Sequence, residues 1–267
     1  MNPNTLSAAQ IAFLQAHKRR KIRIHLYRIS ILILFLFLWE FSTYKGWIDD
    51  FIFSSPSKLV LCCYHMILEN QLFYHIGITL FETIVSFLLV MLFSLVFTIL
   101  LWFSKSLTET LDPYLVVLNS LPKSALAPLL IVWLGANYKT IILTGISVAI
   151  FGTILNLYIG FQGVDPEKIK LIRTLGGNSR QVLLKVILPA NLGNIIGLMK
   201  VNIGLCLVGV IIGEFISSKC GLGYLIIYGS QVFKLDWVIL SILILCCIAV
   251  LLYSLIGVLE RRQKHNM

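Results

Sequence analysis

Charged residues are scarce in this sequence. Only 13% of its 267 residues are Asp, Glu, Lys or Arg, whereas 58% are hydrophobic. The charged share is roughly half of that in soluble globular domains, where about 25% of residues are charged. This composition excludes an ordinary soluble domain and indicates a polytopic membrane protein, whose fold class we expect to be all-α.

Motifs for enzymatic chemistry are also missing. The sequence contains no phosphate-binding loop of the form GxxxxGK[ST], no HExxH, no serine nucleophile elbow and no kinase signature. Its six cysteines and five histidines form no metal-ligand spacing. We therefore expect a chain that is not an enzyme, does not hydrolyse ATP by itself and binds neither metal nor cofactor.

Basic residues exceed acidic ones, and the formal net charge is +10. The basic residues lie beside long apolar stretches, as the positive-inside rule predicts for a membrane protein, and this accounts for them without nucleic acid. We expect membrane lipid, and not nucleic acid, as a partner.

About six apolar stretches are long enough to cross a bilayer. They are residues 26–47, 78–103, 113–135, 140–161, 190–212 and 235–259. With both termini in the cytoplasm, fifteen Lys and Arg residues fall inside, five outside and two within spans. The predicted organisation is a cytoplasmic segment 1–25, a transmembrane domain 26–262 and a cytoplasmic tail 263–267.

The third stretch is the least uniform of the six. Pro122 and Pro128 each remove a backbone donor and are expected to bend the helix. Irregular polar backbone at membrane depth is tolerated beside protein or a water-filled cavity. Either a structural kink or a translocation pathway fits this pattern, and the polar candidates for a pathway are Asn119, Ser120, Pro122, Lys123 and Ser124.

A polar stretch, residues 165–189, interrupts the apolar sequence. Asp165 and Pro166 are suited to begin a short helix, and the Gly176-Gly177 pair is suited to end it. Asn178 or Ser179 can cap a second short helix, which we expect Pro189 to stop. The pattern predicts a helical hairpin at a membrane surface.

The segment RTLGGNSRQVLLKVILPANL resembles the EAA loop of permease subunits in bacterial ATP-binding cassette importers. The EAA triplet itself is replaced by Lys170, Leu171 and Ile172. The resemblance implies a type I importer permease fold whose cytoplasmic coupling-helix hairpin docks on an ATPase. The residues it assigns to this coupling are Lys168, Lys170, Arg173, Thr174, Leu175, Gly176, Gly177, Leu188 and Pro189.

Two further segments, FSSPSKLV and GEFISSKCGLGYLI, resemble the sulfonate, nitrate and taurine class of these permeases. In the second segment, Gly221 and Gly223 are suited to a tight re-entrant turn at the outer mouth. Glu214 is then either held by this turn or exposed to incoming substrate as a pathway residue. Glu82, where relatives usually carry arginine, is expected near a solvated outer interface.

The resemblance also implies the assembly. It implies a homodimer with a second permease copy, a cytoplasmic ATPase dimer that binds ATP and Mg²⁺, and an extracytoplasmic substrate-binding protein. The setting would be the bacterial inner membrane, and the cargo a sulfonate-, nitrate- or taurine-like solute or a thiamine-precursor-like one. The alternatives are a stand-alone secondary transporter, a non-transporting membrane scaffold and the transmembrane subunit of an energy-coupling vitamin transporter.

Overall fold

The computed structural model describes residues 8–69 and 72–266, and its regular elements there are all helices. They are α1 Ala8–Tyr44, α2 Asp50–Phe53, α3 Pro56–Glu69, α4 Leu72–Phe103, α5 Lys105–Ser120, α6 Lys123–Leu134, α7 Tyr138–Gln162, α8 Pro166–Thr174, α9 Ser179–Val182, a π-helical turn Leu183–Ile187, α10 Leu188–Ser217, α11 Leu222–Gln231 and α12 Leu235–Asn266.

Five of these helical segments are long and apolar enough to cross a membrane. They are Ala16–Tyr44, Leu72–Phe103, Tyr138–Gln162, Ser179–Ser217 and Leu235–Val258, and a sixth is obtained if α5 and α6 count as one span. The expected number of about six spans and the all-α fold class are therefore confirmed. Helix α1 runs without a break through the expected boundary at residue 25.

The chain forms two compact units, residues 1–64 and 65–267. In the first unit, the end of α1 is tied to the residues that follow it. Glu40 accepts hydrogen bonds from the Ser57 backbone N–H at 3.1 Å and from Ser57 Oγ at 2.9 Å. Lys58 forms an ion pair with Asp50. Pro56 begins a helix, α3.

The core of the second unit is built from α4, α7 and α10. Helices α4 and α7 run parallel, and hydroxyl groups of α4 donate to backbone carbonyls of α7. Three such bonds share an offset of 56 residues: Ser86 to Ile142 at 3.1 Å, Ser94 to Ile150 at 3.5 Å and Thr98 to Ile154 at 3.4 Å. Inside a bilayer such interhelical bonds contribute about 0.6 kcal/mol each, so a stripe of them fixes the register.

Helix α10 runs antiparallel to α7, and small residues allow the two backbones to approach. A Cβ on Gly209 would lie 2.8 Å from Gly145 Cα, and a Cβ on Gly213 would lie 3.1 Å from Ile141 Cα. Further along, Thr153 Oγ1 donates to Asn202 Oδ1 at 2.9 Å. Helix α10 thus packs closely against α7 at Gly209, whereas Cβ atoms on Gly193, Gly197 and Gly204 would meet no atom of the described residues within 4 Å.

The expected third span, 113–135, is not one helix. Helix α5 begins at Lys105 and includes Pro113, and α6 begins at Lys123 after a bend of 96°. The break falls at Leu121 and Pro122, because Pro122 has no backbone N–H to continue α5. Helix α6 continues through Pro128, so only the first of the two expected bends interrupts the helix.

Candidate functional site

The hairpin predicted over residues 165–189 begins with α8. Asp165 Oδ1 accepts a hydrogen bond from the Glu167 backbone N–H at 2.9 Å, and Pro166 occupies the first turn, where a missing N–H has no cost. Helix α8 ends at a turn in which Gly176 has φ = +80°, a conformation that favours glycine. The predicted start and end of this helix are confirmed.

The second helix of the hairpin begins with a reciprocal cap. The Asn178 side chain accepts from the Gln181 backbone N–H, and the Gln181 side chain accepts from the Asn178 N–H, both at 2.9 Å. This capping box fixes the direction in which the chain leaves the Gly176-Gly177 turn. Of the two residues proposed as the cap, Asn178 fills the position.

The prediction that Pro189 stops the second helix is wrong. The helix continues from α9 through the π-helical turn Leu183–Ile187 into α10, so Ser179–Ser217 is continuous. Pro189 lies in the first turn of α10, beside the wider π-helical turn, where its missing N–H is accommodated. The hairpin is therefore joined directly to a membrane-spanning helix.

An apolar cluster fastens the hairpin to the end of α7. Its buried members are Phe161, Val164, Val182, Leu183 and Ile187, with Ile169 and Ile172 of α8 packed against them. The opposite face of the hairpin is open, and Leu171 and Leu175 are 59% and 75% exposed. Of the predicted coupling residues, exposed ones are Lys168, Lys170, Arg173, Thr174, Leu175, Gly176 and Pro189, while Gly177 and Leu188 are half-buried.

The polar residues predicted to line a pathway lie together at the bend between α5 and α6. Asn119, Ser120, Pro122 and Ser124 are exposed, and Lys123 is half-buried. The Lys123 ammonium donates to the Asn119 carbonyl, one of the groups left without an intrahelical partner by the break. The hydroxyl of Ser120 donates to Val116 O at 2.9 Å.

Glu214, the other pathway candidate, is held by the predicted turn, and only 1% of the residue is exposed. Its carboxylate accepts hydrogen bonds from Thr79 Oγ1 at 2.7 Å and from the Gly223 N–H at 2.6 Å. Gly221 has φ = +104°, and a Cβ there would overlap the Glu214 carboxylate. Glu214 lies twelve residues further along α10 than Asn202, at the end away from the hairpin.

The expectation that Glu82 lies at a solvated interface is wrong. Glu82 is 2% exposed and contacts Glu214, and its Oε2 has no hydrogen-bond partner among the described residues. Position along the sequence placed Glu82 near the end of a span. Its burial depends on α10 and α11 folding over it, which no local pattern indicates.

Sequence reasoning also missed polar residues inside the fourth and fifth spans. Asn156 and Asn194 are exposed, and Asn191 is buried near Gly160. Isolated asparagines within apolar spans were the available signal, because amides at membrane depth need a polar partner or water.

Comparison with known proteins identifies the family. The family described as binding-protein-dependent transport system inner membrane component matches residues 91–265. The chain is 31% identical over 225 residues to the putative aliphatic sulfonates transport permease protein SsuC of Bacillus subtilis, covering 84% of this chain and 82% of that protein. It is 30% identical over 242 residues to a probable ABC transporter permease protein of Haemophilus influenzae, covering 91% and 98%.

A solved structure shares the fold. The permease fold of the inward-facing MetNI methionine ABC transporter superposes with a TM-score of 0.60 at 18% identity, covering 73% of this chain and 96% of that chain. This chain belongs to the family of binding-protein-dependent transport system inner membrane components and is the transmembrane permease subunit of an ATP-binding cassette importer.

Proposed function

We propose that two copies of this chain form the translocation pathway of a bacterial inner-membrane importer, with both termini in the cytoplasm. The observation that carries the proposal is the exposed face of the α8–α9 hairpin, which is continuous with α10. In this arrangement the hairpin docks on a cytoplasmic ATPase dimer and transmits its movement to the spans.

The docking face combines apolar and basic side chains. Leu171 and Leu175 project from it, with Lys168, Lys170 and Arg173 beside them. Exposed leucines on a capped and packed hairpin suit a protein partner better than water. Because α9, the π-helical turn and α10 form one continuous helix, displacement of the hairpin acts directly on a membrane span.

ATP chemistry belongs to the partner in this proposal. The chain brings no phosphate-binding loop, so ATP and Mg²⁺ bind the ATPase dimer, and this chain contributes neither a cofactor site nor catalysis. Closure of the ATPases changes their contacts with the hairpin, and this difference shifts the permease between inward- and outward-facing states.

The second copy packs along α10. Gly193, Gly197 and Gly204 lie at spacings of four and seven on this helix, and Cβ atoms built on them would meet nothing within 4 Å among the residues described for a single copy. Small residues at such spacings permit close approach of another helix in a membrane. These glycines therefore support a homodimer. Gly209, in contrast, packs against α7 within each copy.

The solute passes the bend between α5 and α6, where Asn119, Ser120, Pro122, Lys123 and Ser124 line the path. Glu214 shapes its outer end from a buried position. An extracytoplasmic binding protein delivers the solute, and the half-buried Lys123 suits a small anion. Because a relative named for aliphatic sulfonates covers most of the chain, a sulfonate-like solute is the first to test.

The test is co-purification of the tagged chain from its host, followed by mass spectrometry of the bound proteins. Leu175→Glu alters the docking face without touching the apolar cluster beneath it. Val232→Glu, at a residue 41% exposed, places the same charge at the end of α11, outside the hairpin. We expect an ATPase with the wild type and Val232→Glu, and at least tenfold less with Leu175→Glu. Equal recovery from all three would refute docking through the hairpin.

A further inference from the structure

Three asparagines on different helices have exposed side chains in the half of the spans next to the hairpin. They are Asn119 on α5, Asn156 on α7 and Asn194 on α10, and we call them the asparagine track. None of the three lies in a loop, and the hairpin residues described above do not include them.

Two glycines of α7 bring the track together. A Cβ on Gly152 would lie 3.1 Å from Asn119 Oδ1, and a Cβ on Gly160 would overlap the Asn194 amide. Asn156 lies between these glycines, one helical turn from each, and its Nδ2 donates to Gly152 O at 2.7 Å. The three amides therefore follow one side of α7 over roughly 12 Å, the length of eight helical residues.

The track lies at membrane depth for most of its length. Gly152 is ten residues from the α7 terminus at Gln162, which corresponds to about 15 Å, whereas Gly160 is two residues from it. Exposed amides at this depth are costly against lipid and are tolerated beside water or polar solutes. This side of α7 is therefore suited to a water-filled passage.

The chemistry of the track favours one class of solute. Each asparagine carries two N–H donors, of which Asn156 uses one on Gly152 O, and the Lys123 ammonium lies at the Asn119 end of the track, bonded to the Asn119 backbone carbonyl. The four side chains include no carboxylate. Neutral donors and one cation bind oxyanions without holding them as tightly as a cluster of cations would.

We propose that Asn119, Asn156 and Asn194 line the exit half of the pathway and pass an oxyanion-bearing solute from Lys123 towards the hairpin end. This rests on the proposed function, in which the bend between α5 and α6 lies in the path. It adds two residues to that path, Asn156 and Asn194.

The first experiment measures accessibility in the assembled transporter, with ATPase and binding protein, in inside-out vesicles. The six native cysteines are replaced by serine, and single cysteines are introduced at Asn156→Cys, Asn194→Cys and Leu100→Cys. Leu100 is the matched control, because it is 51% exposed on α4 and lies two residues beyond Thr98, which bonds to Ile154. We expect a membrane-impermeant methanethiosulfonate to label the two track cysteines at least tenfold faster than Leu100→Cys.

Equal labelling of all three cysteines would refute the proposal that the asparagine track lines a water-filled path. Disulfide formation between copies through Asn156→Cys also overturns it, because this side of α7 would then be an interface between permeases. Loss of ATPase from the purified assembly would instead count against the proposed docking, so the two failures are distinguishable.

The second experiment measures ATP-driven uptake of radiolabelled ethanesulfonate in reconstituted vesicles. Asn156→Asp places a carboxylate in the track, whereas Asn156→Gln keeps the amide. We expect at least tenfold slower uptake with Asp and less than threefold with Gln, with the same amount of bound ATPase. Equal uptake by both variants overturns an oxyanion path at this residue. If the wild type takes up no ethanesulfonate, the sulfonate assignment is refuted. The labelling experiment alone then decides whether the asparagine track lines the path.

Discussion

Thr79 and Glu214 are joined by a 2.7 Å hydrogen bond from Oγ1 to Oε1, although 135 residues separate them in the sequence. Thr79 Oγ1 also accepts from the Leu222 backbone N–H at 2.9 Å. One threonine thus connects α4, α10 and the start of α11. Because both residues are buried, this connection fixes the end of the permease opposite the hairpin.

The first prediction concerns the contact between Glu82 and Glu214 beside this threonine. An ionised carboxylate only accepts hydrogen bonds, so contact between two carboxyl groups requires a proton on one of them. Glu214 already accepts from Thr79 and Gly223, whereas Glu82 Oε2 has no partner among the described residues, so we expect Glu82 to carry that proton. Glu82→Gln retains a donor, and we expect its stability to change by less than about 1 kcal/mol.

The same substitution at the neighbouring carboxyl group, Glu214→Gln, is expected to lower the stability. Its amide replaces one of the two oxygens that accept from Thr79 Oγ1 and the Gly223 N–H with an NH₂ group, so one buried donor loses its acceptor, and we expect a loss of about 1–3 kcal/mol. Thermal unfolding of the two variants in the same detergent measures the difference. The assignment of donor and acceptor fails if Glu82→Gln is the more damaging of the two.

The second prediction compares two glycines on α10. Gly209→Ala would place a methyl group 2.8 Å from Gly145 Cα, so we expect separation of α7 and α10 and a loss of about 1–3 kcal/mol. The methyl group of Gly204→Ala would meet no atom within 4 Å in the part of the chain that the structure describes, and alanine favours a helix, so we expect no loss within one copy. Unfolding of the monomeric chain in detergent distinguishes them, and an equal loss would contradict the packing described for α7 and α10.

The third prediction concerns the hairpin turn. A Cβ on Gly177 would lie 2.7 Å from Ile172 O and against the Ile172 side chain, so Gly177→Ala must displace the end of α8. We expect at least a threefold drop in the ATPase that co-purifies. Gly163→Ala is the control, because its Cβ would meet nothing closer than 3.4 Å. If both variants recover ATPase like the wild type, the turn does not position the docking face.

The fourth prediction concerns the ion pair between Lys200 on α10 and Glu260 on α12, whose side chains are 18% and 29% exposed. The Lys200 ammonium also lies 5.3 Å from the centre of the Tyr253 ring. Lys200→Glu places two carboxylates together, and we expect a loss of about 1–3 kcal/mol.

Exchanging both charges provides the control for this pair. In Lys200→Glu with Glu260→Lys the ion pair is restored in reverse, and we expect recovery of at least half of the lost unfolding free energy. Equal instability of the single and double variants would show that Lys200 acts through Tyr253 and not through Glu260.

The hairpin shows how far local sequence determines structure. The Asp165 cap, Pro166 at the first turn and the left-handed Gly176 depend only on neighbouring residues, and each was predicted. The continuation of the second helix through Pro189 was not predicted. It depends on the packing of Val182, Leu183 and Ile187 against Phe161, which stabilises the helix at this point. The rule that proline ends a helix applies to an isolated helix, whereas this helix is packed against the end of α7.

The sequence by itself determined the apolar spans, the polar hairpin between them and the helix caps, because hydropathy and capping are properties of contiguous residues. Only the tertiary structure decided that Glu82 is buried against Glu214, that hydroxyls of α4 bond to α7, and that Asn119, Asn156 and Asn194 follow one side of α7. Each of these depends on the register between helices far apart in the sequence. That register is set by interhelical hydrogen bonds and by glycines at the crossings, whose partners the chain brings together only when it folds.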